Sequence, residues 1–135
     1  MKYDNSDDEQ LVQAAKKAAE NSYSPYSNFP VGAAVITEDG EIFTGTNIEN
    51  ISFGLTICAE RVAVFNAVTC GKRDIKAVAV YTSKDQLITP CGACRQVLFE
   101  FAPNCKVIFA NQTRQKVNIL SDLLPEAFET LVDKG

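Results

Sequence analysis

The chain has 135 residues, 46% hydrophobic and 22% charged, which suits one domain (residues 1–135) built around a single core. Its net charge of −4, with no run of lysine or arginine, argues against a polynucleotide partner. No apolar stretch approaches the ~20 residues of a membrane span, and the N-terminus lacks signal-peptide character. We therefore expect a cytoplasmic protein with no membrane partner.

Patterning predicts a mixed sheet with helices on its faces. In chain order the predicted elements are a helix over residues 7–22, strands over 31–37 and 41–47, a helix over 58–68, a strand over 75–81, a helix over 90–101, strands over 105–110 and 116–120, and a short terminal helix capped by Ser121-Asp122.

Local signals give the ends and faces of these elements. Ser6 and Glu9 have capping-box spacing ahead of the first helix. Thr56 is a candidate cap for the second helix, and Gly71 lies just past its end. The residues of the second helix predicted to face the core are Val62, Phe65 and Val68.

Two stretches ahead of the second helix contain candidate ligand contacts. Phe29, in a polar, proline-bracketed loop, is either core filler or a stacking platform for a flat ligand. Asn47 and Glu49 lie two residues apart and face the same way in extended chain, whereas Ile48 is expected in the core. The Asn47 and Glu49 side chains suit ligand hydroxyls, or they form a solvated strand end.

Cysteine and glutamate carry the strongest pattern, in a chain with five cysteines and no histidine. Cys91 and Cys94 have a common zinc-ligand spacing, and a thiolate is stabilised at a helix N-terminus. Cys58 and Glu60 share that site only if the second helix begins there. Without histidine, proton transfer near neutral pH must use a carboxylate, a thiol or metal-bound water.

The ligand count favours a catalytic metal site. Cys70 lies about 18 Å from Cys58 along the same predicted helix, and Cys105 lies past the end of the next helix. Three thiolates with one open position fit hydrolytic attack on a carbonyl-like or amidine-like carbon. Arg61 and Arg95 each follow a site residue, and each either donates hydrogen bonds to the sulfurs or is a surface arginine.

Several motifs together resemble the small zinc-dependent cytidine deaminases. They span nearly the whole chain in the family's order: Ser24–Ala34, Asn47–Asn50, Cys58–Arg61, Pro90–Val97 and Leu123–Phe128. The resemblance implies a three-layer α/β/α sandwich around a five-stranded mixed sheet, and a homotetramer with one Zn²⁺ per subunit. It also implies hydrolytic deamination of the free nucleosides cytidine and 2′-deoxycytidine in pyrimidine salvage.

The resemblance also implies a role for each matching residue. Cys58, Cys91 and Cys94 would hold zinc, and Arg61 would temper the charge of their thiolates. Glu60 would carry protons between water, N3 of the base and the departing ammonia as C4 is attacked, while the Ala59 N–H would hold the base oxygen. Phe29 would stack on the pyrimidine, Asn47 and Glu49 would bind the ribose, and Phe128 would reach a neighbouring subunit's site.

Two other functions are compatible with parts of this pattern. One is a deaminase of the same fold that acts on a nucleoside antibiotic such as blasticidin S, or on a polynucleotide. The other is a non-catalytic zinc module, which requires four protein ligands and has no use for Glu60. A ribose-binding Asn47 and Glu49, together with the acidic charge, favour a free nucleoside.

Overall fold

A five-stranded mixed sheet lies at the centre of the structure, a computed structural model that describes residues 3–129. Its strands are β1 (Val31–Thr37), β2 (Ile42–Thr46), β3 (Ile75–Thr82), β4 (Lys106–Ala110) and β5 (Gln115–Ile119). The strand order is β2-β1-β3-β4-β5, in which β3 and β4 are parallel and all other neighbours are antiparallel. The predicted sheet is confirmed.

Helices cover both faces of the sheet, which confirms the predicted α/β/α layers. They are α1 (Asp8–Ala19), α2 (Ala59–Thr69), α3 (Gly92–Phe101) and α4 (Leu120–Leu123). One core cluster lies between α1 and the sheet, and the other lies between the sheet and the layer of α2, α3 and α4. Among residues 3–129, no helix is long and apolar enough to cross a membrane.

The central strand β3 is buried on both faces because its alternating side chains enter both clusters. Val78 and Val80 face α2 and α3, whereas Ala77 and Ala79 face α1. The small alanine side chains let α1 approach the sheet closely. The approach is so close at Gly32 that an added Cβ would lie 1.9 Å from the Ala15 carbonyl oxygen.

The capping-box prediction for the first helix is wrong in its residues. The box is formed two residues earlier, between Asp4 and Asp7, around a 3₁₀ turn over residues 5–7. The Asp4 carboxylate accepts from the Ser6 N–H at 2.7 Å, and the Asp7 carboxylate accepts from the Asp4 N–H at 3.1 Å. The two capping residues are therefore Asp4 and Asp7 and not the predicted Ser6 and Glu9.

Two other helix starts also differ from prediction. The Thr56 hydroxyl accepts from the Asn50 N–H at 3.2 Å and so closes the preceding loop, while Cys58 is the N-cap of α2. The terminal helix begins at Leu120, so Ser121-Asp122 lies inside it and does not cap it. Leu120 is fully buried, and its burial places the start of α4.

The predicted core face of α2 is rotated from the observed one. Phe65 is 45% exposed, and Val62 and Val68 are only partly buried. The inward face consists of smaller residues, namely Ala59, Ala63, Val64 and Ala67. Small residues occupy this face because α2 packs tightly on β2, where a Cβ at Gly45 would lie 2.4 Å from the Ala63 nitrogen.

Ile48 is exposed (44%), contrary to the prediction that it faces the core. Its backbone forms isolated β-bridges to Tyr23 on one side and Ile57 on the other. Ile48 therefore stabilises the local structure through main-chain hydrogen bonds and not through burial of its side chain. This short bridged region holds the Phe29 loop and the start of α2 beside each other.

Candidate active site

Three thiols meet where two helices begin. Cys58 is the N-cap of α2, Cys91 is the N-cap of α3, and Cys94 lies in the first turn of α3. The Cys58–Cys91 and Cys91–Cys94 Sγ distances are 3.8 and 3.4 Å, and all three sulfurs lie within 4.8 Å of one another. Tetrahedral coordination at a Zn–S distance of about 2.3 Å requires sulfurs about 3.8 Å apart, so the cluster has the size of a zinc site.

Helix geometry and neighbouring donors favour the thiolate form of Cys58. The Cys94 N–H donates to the Cys91 sulfur at 3.4 Å, and both helix N-termini direct their positive ends toward the cluster. A hydrogen bond from the Cys94 thiol, helped by Arg61, lowers the pKa of Cys58 to about 5. Conversely, the pKa of Cys94 is raised, because that thiol retains the proton it shares with Cys58.

The two arginines next to the site do different things. Arg61 Nη2 donates to the Cys58 sulfur at 3.6 Å. Within residues 3–129, Arg95 forms no hydrogen bond to a sulfur and instead donates to two carbonyl groups and a hydroxyl. Arg61 therefore lies at a sulfur, whereas Arg95 binds two main-chain carbonyl groups and the Thr89 side chain.

Glu60 is a buried acid beside the thiols, with only 5% of its surface exposed. It lies in the first turn of α2, two residues after Cys58, and the helix does begin there, as the shared site requires. Burial, with a smaller contribution from the negative charge of Cys58, raises the pKa of the Glu60 carboxyl to about 7. The carboxyl is therefore able to take up and release protons near neutral pH.

A cavity of about 220 Å³ opens onto the thiols and Glu60. The residues that line it are Ser27, Phe29, Val31, Asn47, Thr56, Ile57, Cys58, Ala59, Glu60, Ile88, Thr89 and Cys91. Phe29, Asn47, Ala59 and Glu60, predicted separately, thus share one cavity. Sequence reasoning missed Ile88 and Thr89, whose only signal is that they precede Pro90 and Cys91.

Asn47 and Glu49 hold the loop that carries Phe29. Asn47 Nδ2 donates to the Phe29 carbonyl at 2.9 Å, and Asn47 Oδ1 accepts from the Val31 N–H at 3.0 Å. Glu49 Oε1 accepts from the N–H groups of Tyr26 and Ser27 at 2.9 and 3.1 Å. Asn47 lines the cavity, whereas Glu49 is not among the described lining residues.

The other predicted residues lie outside the cavity. The Phe128 side chain is 65% exposed, and its carbonyl accepts from Gln96 Nε2 at 2.9 Å. Within residues 3–129, Cys70 and Cys105 take no part in the thiol cluster, as helix length predicted. Burial raises the pKa of Cys105 to about 12, so that thiol stays protonated. Fold and site together define an α/β/α protein with a three-thiol metal centre beside a buried carboxylate.

Comparison with known proteins identifies the family. Residues 5–111 match the cytidine and deoxycytidylate deaminase zinc-binding region. A cytidine deaminase from Halalkalibacterium halodurans is 47% identical over 124 residues, which cover 90% of this chain and 94% of the relative. The crystal structure of cytidine deaminase from Burkholderia pseudomallei is 48% identical, with a TM-score of 0.85 over 89% of this chain and 98% of that one.

The chain belongs to the cytidine and deoxycytidylate deaminase family. A blasticidin-S deaminase from Bacillus cereus is also similar, at 29% identity over 126 residues, 87% of this chain and 89% of the relative. Zinc is the cofactor of the family's site, and three sulfurs at zinc-site spacing fit it.

Proposed function

We propose that this enzyme hydrolyses the exocyclic amine of cytidine and 2′-deoxycytidine, giving uridine or 2′-deoxyuridine and ammonia for pyrimidine salvage. The observation that carries the proposal is the position of Glu60. Its buried carboxyl, with a pKa raised to about 7 by burial, faces a nucleobase-sized cavity at the three-thiol centre. A zinc module used only for folding has no need of such a group.

Glu60 carries the protons of the proposed reaction. Cys58, Cys91 and Cys94 would hold zinc, which when bound supplies Lewis-acid chemistry that lowers the pKa of water toward ~7. Glu60 takes a proton from the water that adds to C4 and gives a proton to N3 of the base. Glu60 then takes the proton of the new hydroxyl group at C4 and transfers it to the amino group. As the C4–N bond breaks, the C4 carbonyl forms and ammonia leaves, so water is consumed and ammonia is released in equal amounts.

The cavity supplies contacts for each part of a nucleoside. Phe29 offers a ring for stacking on the pyrimidine. Ala59 is the first residue of α2, where the N–H has no partner within the helix and is available to the base oxygen. Asn47 has one amide hydrogen beyond its bond to Phe29 for a ribose hydroxyl. Glu49 accepts hydrogen bonds from main-chain N–H groups of the loop that carries Phe29, and it contributes to the ribose contact from the side of that loop.

We propose that four copies of the chain assemble, and exposed apolar residues next to the cavity support association between copies. Ile51, Phe53 and Leu55 are 81%, 73% and 70% exposed, and the ring centroids of Tyr26 and Phe53 lie 5.6 Å apart. Neighbouring copies would cover this surface, and the exposed Phe128 would reach a neighbour's site. Free thiols suit a reducing compartment, so we place the enzyme in the cytoplasm. Sedimentation equilibrium of the zinc-loaded protein would give four chain masses if the tetramer is right and one if it is not.

The decisive experiment pairs metal content with substrate turnover. We expect one zinc per chain, and ammonia release in step with uridine formation from cytidine and deoxycytidine. Blasticidin S and single-stranded RNA, tested at equal concentration, separate this function from its two nearest alternatives. Zinc-loaded protein that leaves both nucleosides intact would rule the proposal out.

A further inference from the structure

One wall of the cavity is formed by an irregular segment. Residues 83–91 connect β3 to α3 without regular secondary structure. Ile88, Thr89 and Cys91 of this segment line the cavity. The wall next to the thiols therefore lacks the main-chain ladder that fixes a strand or a helix, and other groups must hold it in place.

Arg95 donates from all three of its guanidinium nitrogens, and two of them bind the end of this segment next to the thiols. Nε donates to the Pro90 carbonyl at 2.8 Å, and Nη2 donates to the Thr89 hydroxyl at 3.2 Å. Nη1 donates to the Leu123 carbonyl at 2.7 Å, at the end of α4. A planar, half-buried guanidinium thus joins the cavity wall to the zinc-site helix and to the chain after β5.

The far end of the segment is bound separately. Asn111 Nδ2 and Arg114 Nη2 both donate to the Asp85 carbonyl, at 2.7 and 2.6 Å. Loss of Arg95 would therefore release Thr89 and Pro90 while Asp85 stays in place. Within the segment, the expected disturbance is therefore confined to the wall next to the thiols, and outside it the Leu123 carbonyl loses its contact with Arg95.

We propose that Arg95 is a positioning residue that sets the cavity wall through Thr89 and Pro90, and thereby sets substrate affinity and zinc retention. The substrate part of this inference rests on the proposed function. Lysine keeps the charge of arginine, but its single ammonium group does not match three acceptors that diverge in the plane of a guanidinium. Arg95→Lys therefore separates charge from geometry.

The test is a double-mutant cycle on the Arg95–Thr89 bond. We expect Arg95→Lys to raise KM for cytidine about tenfold with a smaller change in kcat, and to speed zinc release to a colorimetric chelator about tenfold. Thr89→Val removes the acceptor and should raise KM in the same direction. Thr89→Ser keeps the hydroxyl and should recover most of that loss. Arg73→Lys, at an exposed position, is the matched control.

Non-additive KM effects in the double variant support the inference, because both changes then remove one shared bond. Additive effects overturn it, since Thr89 would then act on substrate independently of Arg95. Equal KM values for Thr89→Ser and Thr89→Val overturn it too, and this pair still decides if Arg95→Lys does not fold. Chelator release needs no turnover, so it tests Arg95 even if the proposed activity fails.

Discussion

The Nη2 atom of Arg61 lies 3.6 Å from the Sγ atom of Cys58, one helical turn earlier on α2. The spacing of three residues places both side chains on one face of the helix. Three thiolates would overcompensate the charge of a divalent ion by one unit. We propose that the Arg61 guanidinium offsets that excess in a ligand set that contains no neutral imidazole.

Arg61→Gln removes this charge while keeping a side chain of similar reach. We expect kcat/KM for cytidine to fall between about tenfold and a hundredfold with zinc retained, because Cys58 then donates more charge to the metal. Steady-state kinetics beside zinc analysis measure the change, with Arg73→Gln as control. Unchanged kcat/KM in a zinc-loaded Arg61→Gln would show that the contact has no catalytic effect.

Glu60→Gln keeps the shape of the buried side chain and removes its ability to carry protons. We expect zinc to stay at one per chain while ammonia release from cytidine falls by at least about 10³-fold, within the range for a positioned acid–base group. Glu20→Gln, at an exposed site at the end of α1, should have normal activity. Substantial deamination by zinc-loaded Glu60→Gln would require a different proton carrier.

Asn47→Ala should affect both stability and substrate binding. The side chain pairs the Val31 N–H and the Phe29 carbonyl, and its loss leaves both without these partners. We expect a loss of about 2 kcal/mol in the free energy of unfolding and a higher KM, because Phe29 is no longer held. Urea unfolding and kinetics measure the two effects, with exposed Asn104→Ala as control. A rise in KM at unchanged stability would mean that Asn47 acts on substrate alone.

Elements with strong local signals were predictable from sequence. The strand Val31–Thr37 has the predicted bounds, because an uninterrupted apolar run ends at an Asp39-Gly40 turn. Gly71 follows α2 with φ of +85°, as predicted. The thiol cluster was predictable as well, because a cysteine at each helix start has few other uses in a chain without histidine.

Features that depend on tertiary contacts were not predictable. The inward face of α2 is decided by how closely β2 approaches it at Gly45, which helical periodicity does not contain. Ile88 and Thr89 line the cavity from an irregular segment that Arg95 binds at Thr89 and that Asn111 and Arg114 bind at the Asp85 carbonyl. Such positions arise from long-range packing, and no spacing rule gives them.

Gly32→Ala tests the close approach of α1 to β1. An added Cβ would lie 1.9 Å from the Ala15 carbonyl oxygen and 2.6 Å from the Ala19 nitrogen, both main-chain atoms that a rotamer change cannot move away. We expect a loss of about 3 kcal/mol in the free energy of unfolding. Gly54→Ala is the matched control, because nothing lies within 4 Å of its Cβ. Equal stability of both variants in urea would contradict this packing.

Asp39→Asn tests the ion pair that closes the β1–β2 turn. Lys72 Nζ lies 2.8 Å from the Asp39 carboxylate, and this hydrogen bond, with one from Thr37, lowers the pKa of Asp39 from 3.8 to about 2. The lowered pKa means that folding favours the charged carboxylate. The contribution of this ion pair to the free energy of unfolding is therefore complete above pH 3.8 and is lost as the pH falls toward 2.

We expect wild type to be more stable than Asp39→Asn at pH 6 by a small margin, since the pair is exposed and screened by salt. The difference between their urea midpoints should shrink as the pH falls through 3.8 and vanish near 2. Acid loss of zinc affects both proteins and cancels in that difference. Asp74→Asn, exposed just before β3, is the control. A difference independent of pH would show that the Asp39 carboxylate gains nothing from Lys72.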